Sequence, residues 1–168
     1  MSELIKTKNK DFTLRFAEEG DCELILEFIK KLADYEKRLS EVSAIKSDIM
    51  DSLFKNKYAE AIIGEYKGAP VSFAIFFHNF STFLGKPGIY IEDIYVDPQM
   101  RGKGFGSIIF AFLAKLAMER ECGRVEWSVL KWNEPSIKFY EKLGATPKNE
   151  WDQYKLSGEA LSSMADKY

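Results

Sequence analysis

One histidine, two cysteines and almost no excess of charge of either sign leave several kinds of chemistry out of reach for this sequence. His78 alone cannot assemble a metal site, and it lies in an apolar run that reads as strand, so no metal is expected. Cys22 and Cys122 are far apart and form no CxxC pair. With no signal peptide in view, they fit a reducing cytoplasm better than a disulfide framework. No apolar run approaches the roughly 20 residues that cross a bilayer, so no membrane partner is expected. Lysine and arginine number 24 against 26 acids, a net charge of -2, which argues against nucleic acid as a partner. Linkers, repeats and low-complexity tracts are absent as well.

What is present is an ordinary globular composition, 46% hydrophobic and 30% charged, over 168 residues. That length suits one domain, 1–168, with a single sizeable core. The hydrophobic periodicity predicts a strand over residues 13–17 and a helix capped by Asp21 that runs to about residue 39. A second helix starts near Ser47. A hairpin turns at Lys67-Gly68, with strands over 59–66 and 71–80. Residues 81–88 read as a loop, followed by a strand over 88–96 that Asp97-Pro98 stops. A helix over 107–121, a strand over 124–130 and a short helix over 135–143 closed by Gly144 come next. A strand over 151–156 and a helix over 159–167 end the chain. This order predicts an α/β domain built on a mixed sheet.

Two features in this frame carry chemistry. The first is the acidic pair Glu92 and Asp93 inside the strand over 88–96. Strict alternation would send the two carboxylates to opposite faces. The second is Arg101-Gly-Lys-Gly-Phe-Gly-Ser107, between that strand and a helix. Glycines let a ligand approach backbone N–H groups closely, and a helix N-terminus favours phosphate. Arg101 and Lys103 add positive charge. The loop lacks the terminal G-K-[ST] of a Walker A loop, and its glycines do not follow G-x-G-x-x-G. Alone, it could equally be a tight strand-to-helix connection.

Gln99-x-x-Gly102-x-Gly104 resembles the pyrophosphate loop of the GNAT N-acetyltransferase superfamily. One helix and one strand later comes Asn133-x-x-Ser136-x-x-Phe139-Tyr140-x-x-x-Gly144, which matches the superfamily's second segment in order and spacing. Tyr35-Glu36, Tyr90-Ile-Glu-Asp93 and Trp132-Asn-Glu-Pro-Ser136 extend the similarity to the diamine (spermidine/spermine) and thialysine N-acetyltransferases, over nearly the whole chain. The resemblance is strongest from Tyr90 to Ala145.

This resemblance implies the GNAT acyl-CoA N-acyltransferase fold, with two central parallel strands splayed apart. It implies acetyl-CoA as co-substrate and a small amine as acceptor, and relatives are dimers. The pantetheine arm would pair with the backbone of Ile94, Tyr95 and Val96. The pyrophosphate would lie on Arg101, Gly102, Lys103, Gly104, Phe105, Gly106 and Ser107, with Asn133 and Ser136 as further contacts. Tyr140 would be the acid that protonates the departing thiolate. Glu92 would hold or deprotonate the acceptor ammonium, and Asp93 would face the acceptor too or instead support the loop or a water chain. Tyr35 and Glu36 would line the acceptor channel, or they are simply a polar helix end. The expected acceptor is a polyamine or diamine, with thialysine or another amino-acid side chain as a rival. An amino acid would also need a lysine or arginine for its carboxylate, and Lys131 is one candidate. A protein lysine acetyltransferase and a non-catalytic acetyl-CoA sensor are further alternatives.

Overall fold

The computed structural model describes residues 3–168, which form two compact units, one running to Ser128 and one spanning Val129–Tyr168. The first holds a six-stranded sheet in the order β1(Ile5–Lys6), β2(Phe12–Phe16), β3(Glu60–Tyr66), β4(Ala69–Ser81), β5(Lys86–Val96), β6(Val125–Trp127). All neighbours are antiparallel except β5 and β6, which run parallel. Helix α1(Cys22–Tyr35) and the short α2(Lys46–Ile49) lie in the β2–β3 connection, and α3(Phe105–Glu119) crosses from β5 to β6. The second unit holds α4(Glu134–Lys142) and α5(Gly158–Ala165).

The sheet is covered on both faces because its strands are apolar on both. Phe73, Ile75, Ile63 and Tyr95 pack with Ile25 and Phe28 of α1, and Phe28 stacks on Phe73 at 5.3 Å. On the other face Phe105 at the start of α3 stacks on Phe12 at 4.1 Å, with planes 5° apart. Phe110 meets Trp127 edge-on at 4.8 Å. Gly64 sits at a close approach on this face: a Cβ there would come within 2.2 Å of Ser72 Oγ.

Several local expectations change. Helix α1 stops at Tyr35, not near residue 39, because Lys37 turns left-handed (φ 60°) and Arg38 N–H reaches back to Ala33 O at 2.7 Å. Asp21 does not cap α1 with its side chain. Its carboxylate holds Arg15 at 2.6 and 2.9 Å and accepts from Glu18 N–H at 2.8 Å. Ser47 lies inside α2, and Asp48 there accepts from Ile45 N–H at 3.0 Å. A π-helical turn over Met50–Lys55 follows. The hairpin turn is where the sequence puts it, with Lys67 and Gly68 both left-handed, the geometry a two-residue hairpin needs. The expected loop over 81–88 is a tighter reversal, since Ser81 already pairs with Lys86. The final strand over 151–156 is not formed: Trp151, Tyr154 and Leu156 are exposed. The two-residue β1 went unread.

Candidate active site

The parallel strands part. Their pairing covers Ile89↔Val125, Tyr90↔Glu126 and Ile91↔Trp127, where β6 ends. Strand β5 continues through residues 92–96, paired on its other side with β4. Along that edge the backbone of Ile94, Tyr95 and Val96 has no strand neighbour among the described residues.

At the parting point β5 carries one residue too many. Ala74 pairs with Ile94 and Ile75 with Asp93, but Phe76 pairs with Ile91, so Glu92 is the extra residue of a β-bulge. The bulge cancels the alternation expected from the sequence. Asp93 lies opposite Ile75 and Tyr95 opposite Phe73, which puts both on the α1 face. There Asp93 is half-buried, and burial, then Glu92, then Glu36 push its carboxyl up to about 6. Glu36 follows the last residue of α1, and burial raises its carboxyl too, against a lowering by Arg38. The fold thus draws together Glu36, Glu92 and Asp93, more than fifty residues apart in sequence at the extremes. Tyr90, one turn of the pleat earlier, bonds Ser128 Oγ through its hydroxyl at 2.7 Å.

The loop after β5 ends in helix α3. Gly102 (φ 77°) and Gly104 (φ 83°) are left-handed, and a Cβ built on either meets no atom within 4 Å. The first bond of α3 runs from Ile108 N–H to Gly104 O at 3.1 Å. The N–H groups of Phe105, Gly106 and Ser107 precede it and have no acceptor within the helix. This is a backbone cradle for an anion: open space in front of glycines, donors pointing outward and the positive end of a 15-residue helix. It fits the phosphates of a coenzyme. The Phe105 side chain is buried, so only its backbone faces the cradle. Lys103 Nζ sits 5.0 Å above the Tyr66 ring. Arg101 turns the other way: its guanidinium lies 4.6 Å over the Tyr35 ring and 6.0 Å from Tyr95, and its Nε donates to Val96 O at 3.1 Å.

In the second unit Asn133 caps α4, its side chain accepting from Ser136 N–H at 3.4 Å. Tyr140 is half-buried, beside the Phe139 ring at 5.5 Å. The bulge at Glu92 is a feature of the site that sequence reading missed. Its only trace was two consecutive acids in a strand that otherwise alternates.

A mixed sheet whose parallel strands part beside a glycine-lined helix start is the architecture of an acyl-CoA N-acyltransferase. The chain belongs to the acetyltransferase (GNAT) family, whose pattern its residues 25–145 match. It is 34% identical over 166 residues to a thialysine N-epsilon-acetyltransferase of Sus scrofa, covering 92% of this chain and 97% of that one. It is 45% identical over 92 residues, 55% of this chain, to an L-ornithine N5-acetyltransferase of Arabidopsis thaliana, of which 40% is covered. Among solved structures, an integron cassette protein from V. cholerae superposes with a TM-score of 0.78 at 22% identity, covering 94% of this chain and 99% of that one. The fold is therefore the GNAT fold and the chain an acetyl-CoA-dependent N-acetyltransferase. No helix among the described residues is long and apolar enough to cross a membrane.

Proposed function

We propose that residues 1–168 act as one catalytic domain that moves an acetyl group directly onto the terminal primary amine of a small aliphatic acceptor. The observation that carries this is that Glu36 and Glu92 lie near enough to Asp93, on the α1 face, to raise its carboxyl. Acetyl-CoA supplies the thioester that the amine attacks. A primary amine in water is protonated below about pH 10, so the site must first hold an ammonium and then remove its proton. Glu92 and Asp93 do both, directly or through a water. An Asp93 carboxyl held near 6 is ionised at neutral pH yet more basic than a free aspartate. Gly102, Gly104 and the α3 N–H groups hold the coenzyme phosphates, and the open edge of β5 at Ile94–Val96 pairs with its amide arm. Asn133 and Ser136 add coenzyme contacts, and Tyr140 gives its proton to the departing sulfur.

The named relatives favour an acceptor of the thialysine or ornithine kind, in which the amine ends an amino-acid side chain. A polyamine remains the second reading, supported by the excess of carboxylates over cations at the site. An acceptor screen that follows thiol release separates them. Thialysine, ornithine, lysine, putrescine, spermidine and spermine are compared at equal concentration. Thialysine or ornithine should give the highest kcat/KM. A clear preference for spermidine would reverse the order of the two readings, and no release with any amine would overturn the proposal.

A further inference from the structure

We infer that Tyr35 is a positioning residue for the coenzyme loop, acting through Arg101. The ring of Tyr35, the last residue of α1, lies under the Arg101 guanidinium at 4.6 Å. Arg101 directly precedes Gly102, the first left-handed glycine of the cradle. Its Nε donates to Val96 O at 3.1 Å, and its guanidinium is 6.0 Å from the Tyr95 ring. One long side chain thus ties the entry of the loop to the end of β5 and to the end of α1.

The loop needs such a tie. Gly102 and Gly104 carry no Cβ that would confine their backbone, so the shape of the cradle has to be imposed from its two ends. The far end is fixed by Phe105, stacked on Phe12 at 4.1 Å. The near end is fixed by Arg101. An arginine on the surface gives up rotamer freedom when it holds one position, and the contact of its cation with an aromatic face offsets that cost. The rest of α1 follows the same connection. Lys31, one turn before Tyr35 on the same side of the helix, has its Nζ 3.8 Å from Asp97, four residues before Arg101. That pair is half-exposed and contributes little, so the ring is the stronger of the two contacts. A cradle held ready at both ends loses less freedom when the phosphates arrive, which is how a residue that never touches them raises affinity. The inference rests on the reading of the glycine loop as the coenzyme site and is independent of which amine is the acceptor.

The test reads the dissociation constant of coenzyme A by calorimetry. Tyr35→Leu removes the aromatic face and should weaken binding by roughly 3- to 30-fold, the range that a cation–π contact spans. Tyr35→Phe keeps the face and should stay within about threefold of wild type. In an Arg101→Met background, adding Tyr35→Leu should change the constant by less than about threefold, because the contact is already gone. A Tyr35→Leu variant within about threefold of wild type would overturn the inference, and a rise confined to the acceptor KM would return Tyr35 to the acceptor channel. A Tyr35→Phe variant as weak as Tyr35→Leu would assign the effect to the hydroxyl, and an undiminished loss in the Arg101→Met background would show that Tyr35 does not act through Arg101. Either result also overturns it. Should Tyr35→Leu fail to fold, Tyr35→Met is read by the same limits. Gly104→Val is the control. If it binds coenzyme A as wild type does, the cradle is not the phosphate site and the inference falls with that reading. Weakened binding in Gly104→Val beside an unchanged Tyr35→Leu overturns the inference alone.

Discussion

At the scale of single residues, Asp93 sets stability against the role proposed for it. Its carboxyl titrates near 6 in the folded protein because burial, Glu92 and Glu36 all oppose its charge. In the unfolded chain it titrates near ~3.9. Between those values the folded state holds the extra proton, so stability falls as pH rises through the window and levels off above about 6. Asp93→Asn should remove that penalty. It should be more stable than wild type at pH 7.5, by on the order of 1–2 kcal/mol, with the advantage gone near pH 4. Its activity should move the opposite way. Wild-type kcat/KM should rise as pH passes through about 6, and the Asn variant should lose that limb and fall below wild type at neutral pH. Denaturant melts and rate profiles over the same pH range check both halves, and an Asn variant less stable at pH 7.5 would refute the electrostatic account. Tyr140 is tested by removing one oxygen. Tyr140→Phe leaves the ring beside Phe139, so coenzyme affinity should hold while kcat and kcat/KM fall together by roughly 100-fold. A variant within about threefold of wild type would mean that water or the product ammonium supplies the proton.

At the scale of elements, the loop and helix α3 form one device. Phe105 anchors the helix start through its stack on Phe12, and the left-handed glycines before it leave open space where a ligand can approach. Gly104→Val attacks the device twice, since valine is strained at φ 83° and its side chain would fill that space. Coenzyme A binding by calorimetry should weaken at least roughly tenfold, about 1.4 kcal/mol, and an unchanged affinity in a folded variant would move the phosphate site elsewhere. This device was readable from the sequence because glycine spacing and helix position are local properties. So was the two-residue turn at Lys67-Gly68. The bulge at Glu92 was not, because it is a property of the register between β4 and β5, which only cross-strand packing sets. The early end of α1 was hidden for a related reason. Lys37 adopts a left-handed backbone that its side chain does not advertise, and apolar Leu39 continues the helical spacing past the true stop. The expected strand over 151–156 shows the limit of composition alone: Trp151, Tyr154 and Leu156 are apolar or aromatic, but within the described chain no neighbour pairs with them.

At the scale of the whole molecule, the distribution of nucleophiles bears on the choice between one-step and two-step transfer. An acetylated enzyme would need a side chain that attacks the thioester first, and a thiol is the ordinary choice. Both cysteines are free, and neither is near the cradle. Cys22 opens α1 and is fully buried in the core on that face, where burial raises its thiol. Cys122 lies three residues beyond the last residue of α3, at the opposite end of that helix from the glycine loop. Fifteen residues of helix separate the two ends by roughly 22 Å. This distribution fits the proposed direct transfer, in which the acceptor amine meets the thioester with both substrates bound at once. Initial rates over a grid of acetyl-CoA and acceptor concentrations should give intersecting double-reciprocal lines. Incubation with acetyl-CoA alone should leave the intact mass of the protein unchanged. Cys122→Ser should keep kcat within about twofold of wild type, as expected of a half-buried residue outside the site. Parallel lines together with a stable acetyl adduct on the protein would sink direct transfer, and mapping that adduct would identify the nucleophile the geometry failed to reveal.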